Sequence, residues 1–162
     1  MKNKTGSQAA GSQAGWKRWI RLALLLLWMA VIFSFSAQNG TRSAANSLPL
    51  AELLQLPEWV IRKGAHMAEY AVLAVLALEF LDTFSLSGKK AAAFAWLFSA
   101  VYAASDEFHQ MFSAGRSASL KDICIDGAGA ALGLAAVCLI RALRGRRSAR
   151  IHNGNDKKEG RK

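Results

Sequence analysis

The most restrictive feature of this chain is residues 22–37, sixteen positions without a charge, extended by Trp19 and Ile20 and flanked by Lys17, Arg18 and Arg21. As a helix rising about 1.5 Å per residue, 19–37 covers roughly 28 Å, close to the hydrocarbon thickness of a bilayer. A basic flank before an apolar run also fits a signal peptide. The end at Ser36-Ala37-Gln38 is a weak cleavage site, however, and more apolar runs follow, so a retained first span is expected.

Three further runs occupy 66–82, 91–109 and 123–143. Ala and Leu dominate them, and both prolines of the chain, Pro49 and Pro57, lie outside, so none reads as a strand. Each is long enough for a slightly short or tilted span. A soluble four-helix bundle would need a polar face on every helix, which 22–35 and 127–140 lack. The expected fold is all-α: a polytopic membrane domain over 16–145 with four transmembrane helices, between tails 1–15 and 146–162 expected to be disordered.

Net charge is +10, with 21 Lys and Arg against 11 Asp and Glu. Residues 1–21 carry +5 and 141–162 carry +7, leaving −2 for the body between. Basic tails invite nucleic acid, but no zinc spacing, aromatic strand or recognition helix joins them, and nucleic acid is excluded as the main partner. The bases instead orient the chain. With the N-terminus inside, sixteen fall on inner segments and five on outer ones, a positive-inside bias that predicts cytoplasmic N- and C-termini. Membrane lipids are then the first partners, the tails meeting anionic headgroups.

The outer segment 38–62 contains Leu48, Leu50, Leu53, Leu54, Leu56 and Trp59, too apolar for a free loop, and a short interfacial helix is expected there. Pro57 suits the first turn of the helix that becomes span two. Cys124 and Cys138 fall about 21 Å apart on one helix and cannot pair. The five tryptophans are expected to be interface anchors, Trp19 and Trp59 most clearly. Glu79 and Asp82, at the cytoplasmic end of span two, are expected to snorkel to water.

With this topology the polar groups of spans two, three and four converge on the outer side. Lys63, His66, Glu69 and Tyr70 share one face of span two. Tyr102, Ser105, Asp106, His109 and Ser113 fall in one arc of span three, with Glu107 pointing elsewhere and Gln110 just beyond. On span four Asp122, Asp126, Gly129 and Gly133 form a stripe, and the glycine pair permits close helix approach. Ionised groups in a bilayer need partners or a role. In one reading Lys63, Arg116 and Lys121 neutralise the acids in a structural ion-pair network. In another, Asp106-x-x-His109 and His66-x-x-Glu69 face each other and hold a divalent metal. In a third, His66 and His109 are acid/base groups, oriented by Glu69, Asp106 and Asp126.

Three separated blocks carry a family resemblance: Lys63-Gly64-Ala65-His66-Met67-Ala68-Glu69-Tyr70; Ser105-Asp106-Glu107-Phe108-His109-Gln110-Met111-Phe112; and Gly115-Arg116 followed by Asp122, Asp126 and Gly127. In this order, around apolar helices, they resemble the VanZ-like family of small bacterial integral membrane proteins over roughly residues 30 to 135. Ala114 departs from the pattern, which often has Pro before Gly-Arg.

The resemblance implies a multi-pass protein of the bacterial plasma membrane. The founding member is associated with resistance to teicoplanin, a lipid-tailed glycopeptide that binds cell-wall precursors on the outer face. The candidate catalytic residues are therefore His66, Glu69, Asp106, His109 and Asp126, and the candidate substrate-binding residues Lys63, Tyr70, Glu107, Gln110, Arg116 and Asp122. The implied ligand is a lipid-linked or cell-wall precursor, or a lipoglycopeptide. Two functions follow: an enzyme acting on such a molecule at the outer leaflet, or a non-catalytic module that binds it. Four spans with polar groups at one surface offer no path across, which argues against a transporter.

Overall fold

In a computed structural model of the chain, described over residues 5–38, 40–84, 86, 88–112 and 119–159, all regular structure among the described residues is helical. The helices are α1 (Thr5–Ser36), α2 (Gly40–Leu54), α3 (Glu58–Leu81), α4 (Gly88–Gln110) and α5 (Leu120–Glu159), with a 3-10 turn at Asp82–Phe84 after α3. In the tails, where disorder was expected, helix is assigned as far as Thr5 and Glu159. Residues 1–4 and 160–162, like the side chains of 1–14 and 148–162, lie outside the described residues.

Helices α1, α3, α4 and α5 pack side by side with alternating direction. Helix α3 is central, touching α1, α2, α4 and α5. The glycine stripe explains its main interface. A Cβ on Gly133 would lie 2.6 Å from the Ala71 carbonyl oxygen, and one on Gly129 would strike the Met67 backbone, so only glycine lets α5 lie this close to α3. On the next face of α3, small residues of α4 do similar work: Ala91, Ala95, Ser99 and Ala103 recur every four positions, all fully buried. The core is correspondingly thin, with Leu25, Ile32, Tyr70, Leu73 and Leu78 its large members.

The large apolar side chains face outward instead. Leu24, Leu26, Leu27, Phe33 and Phe35 of α1, Phe94, Trp96, Leu97 and Val101 of α4, and Leu132, Leu139 and Ile140 of α5 are all exposed. An apolar surface of this extent is not solvated by water in a monomer. Gly15–Ser36 and Leu120–Arg147 are long and apolar enough to cross a bilayer.

The expected outer-loop helix is present as α2, which packs on α3 and leaves Leu48, Leu50, Leu53 and Leu54 exposed. It stops at Gln55, whose φ of 53° is left-handed, while Leu56 N–H donates to the Ala51 carbonyl at 3.0 Å. Pro57 is the N-cap of α3, one position before the first turn.

At the other end of the bundle, the acids expected to snorkel are paired. Arg21 of α1 meets Glu79 at 3.0 Å and also donates to its backbone carbonyl at 2.7 Å. Arg141 of α5 binds both Glu79 and Asp82, the latter at 2.8 Å. Arg18 stacks 4.4 Å over the Phe84 ring. These acids stay because two other helices, α1 and α5, bring arginines to them, an arrangement that spacing along a single helix does not reveal.

The tryptophans divide in two. Trp16, Trp19 and Trp59 are exposed, as anchors would be; Trp28, and Trp96 despite its exposure, tie helices together. Trp28 Nε1 donates to the Glu69 carbonyl at 2.9 Å and Trp96 Nε1 to the Gly127 carbonyl at 3.0 Å. Tyr102 acts likewise on the Met29 carbonyl, at 2.8 Å. Both cysteines are exposed and free.

Candidate functional site

The polar residues of α1, α3, α4 and α5 meet at the end of the bundle where α1 and α4 finish and α3 and α5 begin. Its most buried part centres on Asp106, which is 4% exposed. Ser36 at the last turn of α1 donates to Asp106 Oδ2 at 2.6 Å, and Gln110, one turn further along α4, donates to the same oxygen at 3.0 Å and to Ser36 Oγ at 2.5 Å. Two donors on one oxygen hold the carboxylate in a single orientation. Its other oxygen, Oδ1, is buried and without a hydrogen-bond partner among the described residues.

Tyr70 faces this group from α3. It is wholly buried, packs against Tyr102 with ring centroids 6.3 Å apart, and has a hydroxyl with no hydrogen-bond partner among the described residues. That hydroxyl is within electrostatic reach of Asp106, Asp126 and Glu69. Asp126, 3% exposed on α5, is within reach of Glu107, Asp106, Asp122 and Glu69. Because Asp126 sits one turn before Gly129, the close α3–α5 contact brings it to Tyr70.

Nearer the helix ends the groups are half-buried. Lys63 of α3 pairs with Asp122 of α5, which was anticipated by the ion-pair reading, and His66 Nδ1 lies 3.8 Å from Glu69 Oε2 on the same helix. His109 turns to α1, its ring centroid 4.7 Å from that of Phe33, and its Nδ1 is buried without a hydrogen-bond partner among the described residues. The two His–carboxylate pairs do not assemble into a metal site: among the described residues no three His, Cys, Asp or Glu side chains are placed to hold an ion.

Helical spacing set Glu107 apart from Asp106, yet both are buried. Helix α4 is covered on two sides: Asp106 and Gln110 meet α1, while Glu107 accepts a hydrogen bond from the Ser119 N–H at 2.8 Å, just before α5. Ser105 shares the arc of Asp106 on paper but is exposed and returns its hydroxyl to the Tyr102 carbonyl. Arg116 and Ser113 lie outside the described residues. Sequence reasoning missed Ser36, read there only as part of a poor cleavage site. The available signal was depth, since Ser36 ends span one at the level where Asp106 and Gln110 end span three.

A helical bundle with an apolar exterior and a buried polar cluster at one end defines a helical integral membrane protein. The family is shown by sequence: the family model described as VanZ/LLP1 matches residues 21–141, three quarters of the chain, and the protein belongs to that family. The match takes in α3, α4, parts of α1 and α5, and every candidate site residue. No curated protein and no solved structure is significantly similar to the chain.

Proposed function

We propose that this VanZ/LLP1 protein crosses the bacterial plasma membrane four times with both termini in the cytoplasm, and that its outer cluster binds, or acts on, a lipid-linked or other cell-envelope molecule. Charge spacing supports the four crossings. From Lys63 to Glu79 along α3 is about 24 Å, from Arg21 to Ser36 along α1 about 22 Å, from Lys90 to Asp106 along α4 about 24 Å and from Asp122 to Arg141 along α5 about 28 Å. Each helix thus carries polar groups about one hydrocarbon thickness apart. The positive-inside count supports a cytoplasmic position for the Arg21–Glu79–Arg141 end.

The observation that carries the ligand reading is Asp106. One of its oxygens accepts hydrogen bonds from Ser36 and Gln110, while the other is buried without a partner among the described residues, as is the Tyr70 hydroxyl. Buried polar atoms are nearly always satisfied, and unsatisfied ones mark a group that something else completes. His66 and His109 are the proton-transfer candidates and Lys63, Glu107, Asp122 and Arg116 the substrate-binding candidates. A structural ion-pair network is the second reading, favoured by the Lys63–Asp122 pair and by Glu107 on the Ser119 N–H.

Native mass spectrometry of the purified protein with co-purifying lipid extract separates the two. The ligand reading expects one envelope lipid class to be retained by wild type and lost in Asp126→Asn and His66→Ala at unchanged membrane abundance. The network reading expects those variants to lose folded protein with no lipid retained by wild type. Orientation is tested by labelling single cysteines at Thr41, Ser117 and Lys89 after replacing Cys124 and Cys138 with Ala. Reaction of only the Lys89 site from outside refutes the topology. Tolerance to a teicoplanin-type lipoglycopeptide is the phenotype to score on expression.

A further inference from the structure

The outer cluster is rich in acceptors and poor in cations. Glu69, Glu107, Asp106 and Asp122 each lie within electrostatic reach of Asp126, and the Lys63 ammonium is committed to Asp122. Among the described residues no Lys or Arg pairs with Asp106 or Asp126. An anionic group such as phosphate entering here would meet carboxylates, and like charges in a low-dielectric site repel strongly.

A second observation is independent of charge. Tyr70, 0% exposed, has an unpartnered hydroxyl, and Asp106, 4% exposed, has an unpartnered Oδ1. Both atoms accept hydrogen bonds. The Ser36 and Gln110 donors occupy Oδ2, so Oδ1 is held ready for a donor arriving from elsewhere. Half-buried Lys63, His66 and Asp122 lie one to two turns nearer the helix ends.

We infer that the group received by this site is a protonated primary amine. An ammonium supplies several N–H donors from one small atom and offsets the carboxylate charge. A hydroxyl donates but leaves that charge uncompensated, and a quaternary ammonium has no N–H for Asp106 Oδ1. Two sources present this chemistry at an outer leaflet: the headgroup of an aminophospholipid, or a free amine. The inference rests on the ligand reading of the outer cluster and narrows it.

The test uses the full-length protein in detergent micelles, titrated calorimetrically with dihexanoyl phosphatidylethanolamine, phosphatidylcholine and phosphatidylglycerol, and with ethanolamine. The ethanolamine lipid is expected to bind about tenfold or more tighter than the other two, the loss that one charge-assisted hydrogen bond represents. Tyr70→Phe, which keeps the ring and removes only the hydroxyl, and Asp106→Asn are each expected to erase most of that preference; folding is checked by circular dichroism and gel filtration. Competition by ethanolamine alone assigns the site to a free amine, and its failure to compete assigns it to the lipid headgroup. Equal or tighter binding of the choline or glycerol lipid overturns the inference while leaving the ligand reading intact. So does an ethanolamine preference that survives in folded Tyr70→Phe. If no lipid and no amine binds, both fall.

Discussion

Replacing single glycines of α5 by alanine tests whether close α3–α5 contact assembles the site. A Cβ at position 133 would lie 2.6 Å from the Ala71 carbonyl oxygen and 2.9 Å from its Cα, and ordinary contact requires about half an ångström to an ångström more. Main-chain atoms of a packed helix cannot rotate away, so α3 and α5 must separate. Overpacking of this kind costs up to about 3 kcal/mol, and alanine returns up to about 1 kcal/mol of helix propensity, so Gly133→Ala and Gly129→Ala each lose about 2 kcal/mol. Gly127, two positions from Gly129, has nothing within 4 Å of its would-be Cβ; Gly127→Ala keeps only the propensity gain and is expected to be neutral or stabilising. The double variant should lose clearly less than twice the single value, because one displacement of α3 relieves both clashes. Unfolding by SDS titration in mixed micelles, followed by tryptophan fluorescence, measures all four. Equal stability of Gly127→Ala and Gly129→Ala, or strict additivity in the double variant, would refute the reasoning.

Two smaller changes probe single features. Gln55 holds a left-handed φ of 53° at the end of α2, which costs an L-residue roughly 1 kcal/mol or more that glycine avoids, so Gln55→Gly should stabilise by up to about 1 kcal/mol in the same titration. Ser36→Ala removes a 2.6 Å donor from buried Asp106 and should cost about 1 to 3 kcal/mol; Ser36→Thr, which keeps the hydroxyl, should retain most of the stability, and equal losses from both would show that packing at Ser36 matters more than its hydrogen bond.

How much of this could be read from the chain depends on whether the signal runs along one helix or between helices. Periodicity along one helix placed Asp126, Gly129 and Gly133 on one stripe, and the structure sets that stripe against Met67 and Ala71. Span topology, separately, put Lys63 and Asp122 on one side of the membrane, and they pair. Relations between helices were not legible. The Arg21–Glu79–Arg141 junction joins residues 58 and 62 positions apart, and nothing in the neighbourhood of Glu79 announces an arginine. Trp28 and Trp96 are indistinguishable by type from Trp19, yet their indole N–H groups reach carbonyls of other helices. Glu107 points away from the Asp106 arc as its spacing implies, but its burial was not legible for a related reason: a helical wheel assumes one buried face, and α4 has two.

The two ends of the bundle handle acidic residues in different ways, and the difference locates function. At one end Glu79 and Asp82 are each met by arginine from another helix, leaving no acid there to recruit a partner. Partly exposed pairs of this kind contribute only about 1 kcal/mol or less apiece, so their role is register more than stability. At the other end Lys63 accompanies Asp122, while Asp106 and Asp126 lie deeper, beyond any described lysine or arginine. A chain needing only helix register could have repeated the first solution. It instead commits Ser36 and Gln110, both buried, to orienting one carboxylate whose other oxygen, like the buried Tyr70 hydroxyl, has no hydrogen-bond partner among the described residues. A buried carboxylate held in one orientation with an oxygen left without a donor is a group that a ligand can complete, which is why the Asp106 end, and not the arginine end, is where a ligand should be sought.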